Sequence, residues 1–553
     1  MGFLAPSPPT FDMDDWRALP HHQKLKPLAQ DWALNGFGTP YAVYLLYAVK
    51  LVVFVVGAAL VMGVDLHAHG WTEPLAYQKL VVWTLLWEIL GLGCGSMPLT
   101  FRFLPPIGGV LYWLRPGTMR LPPWPSKVPF TAGTRRTPVD IALYVGILAS
   151  GVVLLTNDGR LGRTGIAVLL TCLVLLGLRD KAPFLAARPE HYATMLVIFL
   201  FAPTNTVFAL KLVMIALWWG AATSKLGRHF PFVVSVMISN TPWQRSTWVK
   251  RRLWKSYPDD LRPSWLAGAA AHGGTVVEYS VPLVLLLSRG GTVTTVAVIV
   301  MVLFHIHITS TLPLGVPLEW NLFFIYSTLF LFGHYAGVGA GSFESFPLGV
   351  FLVLVLVVLP VLGNLRPDLV SFLPGMRYYA GNWATSVWLF RKDGAEEVFD
   401  SSLVKPAPVV IKQLTRLYGE QMAELLLYKG LAFRAMHSHG RALAGLLTRA
   451  VDELDDYTVR EGELVAGVAL GWNFGEGHLH NAQLLAAVQE RCHFTSGQLR
   501  VITLEGQPIH DPRQKYQILD AADGLLEEGH IAVSDLISRQ PWLGEDITIP
   551  VAR

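Results

Sequence analysis

Four ionisable side chains interrupt apolar stretches of the sequence, namely His191, Lys225, His272 and His305. Each lies at or near the same end of a predicted membrane helix. An ionisable group at membrane depth costs about 2.5–3.5 kcal/mol by insertion scales and is usually retained for a function. The shared depth of these four groups therefore predicts an intramembrane active site or ligand pocket, although it does not name a substrate.

Lys225 is the first charge after the apolar run that ends in Trp218-Trp219-Gly220-Ala221-Ala222-Thr223-Ser224. One interpretation is a lysine that extends its amine to the membrane interface. The other is a partly desolvated amine whose pKa falls, so that it can act as a base. Lys211 precedes it by about 21 Å along a helix and cannot act at the same site.

His272 and Glu278 lie on the next long predicted helix, and His305 lies on the one after it. His272 and Glu278 are about 240° apart around their helix, so these two do not face one pocket. His272 and His305 are at similar depths, roughly 12 and 10 Å from the same end of the membrane. A histidine bonded to a neighbouring carbonyl is the alternative to a catalytic one.

Two tripeptides open further helices at the same end, Glu190-His191-Tyr192 and Glu319-Trp320-Asn321. Glu88 is another carboxylate near the midplane, with no partner that the sequence identifies. We therefore expect one cavity to be shared by Lys225, His191, His272, His305 and Glu319.

The composition identifies a membrane protein. Of 553 residues, 52% are hydrophobic and only 15% are charged, with a mean hydropathy of +0.41. A soluble domain has about a quarter charged residues. The net charge of +4 gives no reason to expect a nucleic-acid partner. Cys94, Cys172 and Cys492 do not have the spacing of a disulfide framework or a metal cluster, and no metal is expected.

The apolar runs predict a mainly α, polytopic bundle of about ten transmembrane helices. Lysine and arginine concentrate in alternate loops, which places both termini in the cytoplasm. Residues 1–40 form an N-terminal cytoplasmic segment, and residues 41–364 form the membrane domain. The composition is typical of a bacterial inner-membrane protein. The predicted spans are 41–63, 79–97, 139–155, 161–178, 192–203, 206–224, 265–287, 292–312, 318–336 and 346–363.

The chain changes character near residue 365, and residues 365–553 are predicted to form a soluble cytoplasmic α+β domain. Residues 408–456 have the period of amphipathic helices, and residues 498–504 and 514–519 alternate like strands. The pairs His437/His439 and His478/His480 could bind a metal, and His478 and His480 would share a face if extended. Neither pair has a third ligand at a persuasive spacing. A regulatory role or the docking of a protein partner is the default for this domain.

The segments with the ionisable residues resemble the membrane domain of vitamin K-dependent gamma-carboxylase and its bacterial relatives, the horizontally transferred transmembrane (HTTM) group. The resemblance covers roughly residues 185–335. Its motifs here are Glu190-His191-Tyr192, then Ala221-Ala222-Thr223-Ser224-Lys225-Leu226, then His272-Gly273-Gly274 with Glu278, and last Phe304-His305 with Ser310, Gly315 and Trp320.

The resemblance implies a lysine base that deprotonates a hydroquinone. Lys225 would be that base, His191 its hydrogen-bonding partner, and His272 and His305 supporting groups. A quinone of the menaquinone type, or another isoprenoid-like lipid, would be the cofactor. The residues expected to contact it are Glu190, Tyr192, Glu319, Trp320 and Asn321.

Two functions from different classes are therefore expected. The first is an integral membrane enzyme with an inner-facing pocket for a quinone or isoprenoid-like lipid. The second is a non-catalytic protein that binds or moves envelope lipids and uses its C-terminal domain for docking. Proton-coupled transport through Glu88, Glu278 and the histidines is a third interpretation, with less support because no inverted repeat is visible.

Overall fold

The computed structural model describes residues 2–63, 69–94, 107–157, 161–311, 318–370, 377–540 and residue 542. We number the elements of these residues in chain order. Most of them are helices, and the first twelve are α1 (Met13–Ala18), α2 (His21–Asn35), α3 (Tyr41–Met62), α4 (Pro74–Ile89), α5 (Val110–Trp113), α6 (Pro138–Thr156), α7 (Arg163–Arg179), α8 (Lys181–Ala186), α9 (Tyr192–Phe199), α10 (Pro203–Ser224), α11 (Phe230–Asn240) and α12 (Thr247–Arg252).

A short hairpin, β1 (Trp254–Ser256) and β2 (Asp260–Pro263), precedes the remaining membrane helices. These are α13 (Trp265–Leu287), α14 (Gly291–Thr309), α15 (Leu318–Ser327), α16 (Phe346–Val353) and α17 (Leu359–Leu365). A wider π turn, Thr328–His334, extends α15, and a second, Leu354–Val358, joins α16 to α17.

Six helical segments of the described chain are long and apolar enough to cross a membrane. They are Tyr41–Met62, Pro138–Thr156, Pro203–Ser224, Trp265–Leu287, Gly291–Thr309 and Phe346–Leu365. Proline at the first or second position starts several of them, because its missing N–H is not needed there. Thr137 and Asp140 also form a capping box that fixes the start of α6, which satisfies two otherwise orphaned N–H groups.

The other four predicted spans correspond to shorter helices, so the figure of about ten spans is not established. They are α4, α7, the eight-residue α9, and α15 with its π turn. Helix α9 ends at Phe199, and Pro203 begins the next helix. The predicted positions 95–97 and 312, and the motif residue Gly315, lie outside the described residues.

Loop contacts divide the helical bundle into two ends. At one end, the loops 107–137 and 225–229 bond to residues 377–540, as in Trp113 Nε1–H to the Leu470 carbonyl (3.1 Å) and His229 Nε2 with Gln507 Oε1 (2.7 Å). At the other, the Glu344 N–H donates to Asn205 Oδ1 (2.7 Å). We name the first the domain end and the second the far end.

The region after α17 contains a five-stranded antiparallel sheet in the order β4-β3-β5-β6-β7. The strands are β3 (Thr385–Arg391), β4 (Tyr457–Glu461), β5 (Leu499–Leu504), β6 (Arg513–Asp520) and β7 (Gly524–Ala532), and the helices are α18 (Ala395–Ser402), α19 (Val410–Tyr418), α20 (Glu420–Ala435), α21 (Ser438–Ala450), α22 (Gly462–Leu470), α23 (Ala482–Cys492) and α24 (Val533–Ser538). The strands expected at 498–504 and 514–519 are thus β5 and β6.

Strand β3 is buried on both faces because it divides two hydrophobic cores. Trp388 and Phe390 face the large core that continues into the membrane helices. Val387 and Leu389 face a smaller core with α21. This alternation is the two-residue period of a strand, and it joins the sheet to the bundle through shared packing.

The N-terminal segment packs against this C-terminal region. Trp16, Leu25 and Leu28 form a core cluster with residues of α20, and Lys24 Nζ lies 2.9 Å from Glu424 Oε1. Lys429 Nζ lies 3.1 Å from Asp31 Oδ2 on the same interface. Residues 11–35 and residues 420–435 therefore lie together at the domain end.

Candidate functional site

A cavity of about 440 Å³ lies at the domain end, between the membrane helices and the C-terminal region. Its walls come from α10, α11, α13, α14 and α15 and from the segment after residue 377. Most of the lining is apolar or aromatic. The polar lining residues are Lys225, Glu278, His305, His307, Thr311, Asn321 and His437, and Tyr378, Tyr379, Trp218, Trp320 and Trp383 add aromatic rings that carry a polar group.

Lys225 and Glu278 form a buried ion pair in this cavity. Lys225 caps the C-terminus of α10, and Glu278 lies in the middle of α13. The lysine Nζ is 2.6 Å from both carboxylate oxygens, and the two residues are only 8% and 4% exposed. Because the amine is held by a carboxylate, any proton accepted from a ligand is handled by the pair and not by the lysine alone.

His305 has both ring nitrogens occupied. The indole N–H of Trp218 donates to His305 Nε2 (2.9 Å), and an indole nitrogen can only donate. Nδ1 therefore carries the proton and donates to Asn321 Oδ1 (2.9 Å). This chain joins α10, α14 and α15 at the cavity wall. It makes His305 a neutral positioning group in this arrangement, with no nitrogen free for a ligand.

His437, from the C-terminal region, completes the cavity wall. The Phe433 carbonyl accepts a hydrogen bond from its Nδ1 (2.7 Å), so Nε2 is left as an acceptor. Burial, with Arg434 and Arg441 nearby, lowers the pKa of His437 to about 3. The ring is therefore neutral at physiological pH. Sequence analysis considered this residue only as a metal ligand, since nothing local predicts a contact with helices more than a hundred residues away.

His272 does not join the cavity. It is exposed on α13, while Ala271, Gly273, Gly274 and Glu278 of the same helix line the wall or lie against it. The expectation that His272 shares a pocket with Lys225 is therefore corrected. The expectation rested on depth along the helix, whereas the direction of the side chain around the helix decides whether it reaches the cavity.

Glu190, His191 and Tyr192 also lie outside the cavity lining. The His191 ring packs edge-on against Trp320, with ring centroids 4.5 Å apart, and Tyr192 packs against Phe323. Of this predicted group, only Trp320 and Asn321 reach the cavity, together with Lys225 and His305. Trp320 thus stands between the cavity and His191, which corrects the expectation of one shared pocket.

Glu319 points to a different partner. Its Oε1 lies 3.0 Å from Lys50 Nζ and accepts the Trp87 indole N–H at 3.2 Å. Glu88 and Cys94 are close by, and one ligand atom from each of the three acidic or thiol groups lies within 4.8 Å of the others. Such a trio could hold a cation by distance alone, but Lys50 already neutralises one member.

Arg188 was missed by sequence analysis, which counted it only among the charged loop residues. It is fully buried, and its guanidinium carbon lies 4.8 Å from the centroid of Trp320 and 5.3 Å from that of Trp472. None of its nitrogens has a hydrogen-bond partner among the described residues. A surplus of arginine in a loop gives no signal that one of them is enclosed.

His478 and His480 of the C-terminal region have separate partners. His478 lies in a single 3-10 turn, Gly477–Leu479, not on a strand, so the expected shared face with His480 does not exist. His478 Nε2 pairs with Glu505 (2.8 Å), while His480 Nδ1 bonds to Ser386 (2.7 Å). Among the described residues, no three-ligand cluster contains these histidines.

Comparison with known proteins identifies the family but not an activity. No curated protein and no solved structure matches the chain. Nothing in these comparisons connects it to the HTTM group or to gamma-carboxylase. One family model matches residues 1–553 and therefore spans the whole chain. The chain belongs to the family described as "Transmembrane protein of unknown function (DUF3556)".

Proposed function

We propose that this protein binds a lipid with a polar ring, of the quinone or isoprenoid-like class, in the cavity at the domain end of its helical bundle. The proposal includes proton exchange between the ring and the Lys225–Glu278 pair. The observation that carries it is an aromatic cavity of about 440 Å³. Among the described residues that line this cavity, the buried pair is the only one with formal charges. Ligand pockets typically have such a size, an apolar lining and a few polar groups.

The cavity wall formed by α13 favours the assignment of a lipid as the ligand. Gly273 and Gly274 line the cavity, and a side chain added at Gly273 would meet no heavy atom within 4 Å. Val276, on the adjacent turn, is 64% exposed on a helix that is apolar enough to lie in lipid. The wall is therefore thin where it faces the surrounding membrane, and this suits lateral entry of an apolar molecule.

The Lys225–Glu278 pair suits proton exchange because it has two forms of the same net charge. It is an ammonium with a carboxylate in one form and an amine with a carboxylic acid in the other. A bound hydroquinone would supply an acidic hydroxyl, and the amine of the second form would accept that proton. The sequence predicts Lys225 as the base. Glu278 provides a carboxylate that accepts the proton of the lysine before the lysine accepts one from the ligand.

The second candidate is a non-catalytic lipid-binding protein. The observation that favours it is the closeness of the ion pair, in which both carboxylate oxygens contact the lysine. A pair that stays in this form holds two helices together and needs no chemistry. Bacterial inner-membrane localisation with cytoplasmic termini is part of both proposals, and either one leaves the C-terminal region free to dock a protein.

The first experiment is mass spectrometry of the organic extract of the full chain, purified in mild detergent. We expect a stoichiometric lipid in the wild type and its loss in Gly273→Leu, which adds a large side chain at a position that lines the cavity. Gly268→Leu is the matched control, since Gly268 lies on the same helix outside the lining, with no atom within 4 Å. Equal lipid in both variants would refute binding in this cavity.

A second comparison separates the two candidates. If the bound lipid is a quinone, Lys225→Arg keeps the charge but changes the acid–base chemistry, since an arginine does not lose its proton. The enzyme proposal predicts retained lipid with a lost pH dependence of oxidation of the bound quinol by oxygen. An unchanged pH profile in Lys225→Arg would leave the non-catalytic function as the better description.

A further inference from the structure

The six buried arginines of the described residues are not alike. They are Arg120, Arg136, Arg188, Arg377, Arg434 and Arg441. Five of them donate a hydrogen bond to a carbonyl or a side chain of the protein. Arg188 alone donates none, and its three nitrogens are all buried without a partner in the described chain. A buried charge without such partners is costly, so this one needs an explanation.

Aromatic rings enclose Arg188. Its guanidinium carbon lies 4.8 Å from the Trp320 centroid, 5.3 Å from that of Trp472 and 5.4 Å from that of Phe474. Rings of this kind stabilise the faces of a guanidinium group through cation–π contact. They do not satisfy its N–H groups, which lie in the guanidinium plane and form a rigid fork for oxygen acceptors.

Two neighbouring indole groups add further unpartnered donors. The indole nitrogens of Trp320 and Trp472 are buried without a hydrogen-bond partner, and an indole N–H can only donate. Two nearby carboxylates are engaged through one oxygen each, since Glu88 Oε2 accepts from the Cys94 N–H (3.0 Å) and Glu319 Oε1 lies 3.0 Å from Lys50 Nζ. Glu190 Oε1 and Glu319 Oε2 are buried carboxylate oxygens without a hydrogen-bond partner among the described residues. Donors thus exceed acceptors around Arg188.

We infer that Arg188, with the indole N–H groups of Trp320 and Trp472, forms a binding site for a phosphoryl group. A phosphoryl group offers three strong acceptor oxygens and a negative charge, and it matches the planar fork of arginine. Trp320 also lines the lipid cavity, so the phosphoryl group could belong to a lipid head group or to a small soluble phosphate. This site does not include Lys225 or Glu278, so it can be tested independently of the function proposed above.

The test uses the full chain, purified in detergent and stripped of lipid, with inorganic phosphate as the probe. We expect phosphate to raise the unfolding temperature of the wild type by several degrees, because a ligand that binds only the folded state stabilises it. Arg188→Met should abolish this rise. Arg449→Met is the matched control, since it removes an exposed arginine paired with Glu527, and it should keep the full rise.

The unfolding temperatures measured without phosphate test the proposal even if phosphate does not raise the unfolding temperature of the wild type. Arg188→Met should then unfold at or above the temperature of the wild type, because it removes buried N–H groups that have no acceptor among the described residues. A much lower unfolding temperature would mean that Arg188 is a structural residue, and the proposal would fail. An equal phosphate response in Arg188→Met and the wild type would also overturn it, as would an equal response of the wild type to acetate.

The source of the phosphoryl group is found from the phosphorus content of the organic extract before lipid is removed. A phosphorylated lipid that is present in the wild type and lost in both Arg188→Met and Gly273→Leu would identify a head group whose apolar part enters the cavity. A phosphate response that persists in Gly273→Leu, with no phosphorus in the extract, would identify a soluble phosphate. No phosphorus in any extract and no response to phosphate would overturn the proposal.

Discussion

Two buried cations, Lys225 and Arg188, lie on either side of the same tryptophan and are treated differently by the fold. Trp320 lines the cavity that holds Lys225, and its ring also stacks on Arg188. Lys225 has a carboxylate 2.6 Å away, whereas Arg188 has aromatic faces and no acceptor among the described residues. The Lys225–Glu278 pair has no net charge, whereas the N–H groups of Arg188 have no acceptor among the described residues.

This difference determines which kind of ligand each region can bind. A cavity whose charges cancel offers an apolar molecule no electrostatic penalty, and it keeps a proton available between two groups. A guanidinium that lacks a partner favours a ligand that brings negative charge and oxygen acceptors. Substitutions that remove one partner should therefore have opposite effects on the stability of the two regions.

The largest effect is expected for Glu278→Leu. Removing the carboxylate leaves Lys225 buried and unpaired, which costs about 3–5 kcal/mol of the free energy of unfolding. Glu278→Leu combined with Lys225→Met should recover most of this loss, because the pair is then replaced by apolar groups. Denaturation in detergent measures both. If the free energy of unfolding of Glu278→Leu alone lies within about 1 kcal/mol of the wild-type value, water reaches the pair.

A smaller loss is expected for His305→Phe. The substitution leaves the Trp218 N–H without its acceptor and Asn321 Oδ1 without one of its donors. Each unsatisfied buried group costs about 1–3 kcal/mol. His307→Phe is the control, because His307 lies two residues further along α14 and is exposed. If the two variants are equally stable, the hydrogen bonds from Trp218 through His305 to Asn321 do not stabilise the fold.

The pair His478–Glu505 should contribute less and should depend on pH. Burial opposes the charge on His478, but Glu505 and Glu476 outweigh it and raise the pKa of His478. Burial also opposes the charge on Glu505, but His478 outweighs it and lowers the pKa of Glu505. The histidine contribution is complete below its unfolded pKa of about 6.5 and is lost as pH rises through the folded value. The glutamate contribution is present above its unfolded pKa of about 4.3 and is lost as pH falls through the folded value.

His478→Gln should therefore lower the unfolding temperature most between about pH 4.3 and 6.5, by an amount equivalent to about 1 kcal/mol. The difference from the wild type should shrink toward pH 9. His510→Gln, at an exposed position in the same region, should show no such dependence. A difference that grows with rising pH would contradict the assignment of charges to this pair.

The smallest effect is expected for His272→Leu. The side chain is exposed on an apolar helix, so its loss should change the free energy of unfolding by less than about 0.5 kcal/mol. The amount of bound lipid should stay the same. Loss of lipid from this variant would mean that His272 reaches the ligand after all, and that the lining described above is incomplete.

The sequence predicts the helices and strands better than it predicts the site. Strands β5 and β6 and the helix around Lys225 could be located because their patterns are local. The position of His305 near the end of its helix could be estimated from helix rise alone. The Lys225–Glu278 contact could not, because it depends on the rotation of two helices about their axes. The contribution of His437 depends on how the C-terminal region docks, and no local pattern carries that information.

The burial of Arg188 illustrates a second limit. A positively charged residue in a loop is ordinarily assigned to solvent or to the membrane surface. Its enclosure results from Trp472 and Phe474, which are almost three hundred residues away in the chain. Sequence patterns of helical or strand period describe single elements, and a cage assembled from several elements leaves no period to detect.

The packing of α2 against α20 also constrains the order in which the chain is made and assembled. Lys24 and its partner Glu424 are 400 residues apart, so at ~5–20 residues/s the ribosome needs about 20–80 s to supply the second from the first. Throughout that interval Leu25 and Leu28 lack the surface that finally buries them. All the membrane helices emerge before this contact can form. The N-terminal segment therefore remains without its partner surface while the bundle inserts into the membrane. It packs against the C-terminal region in one of the last steps of biogenesis.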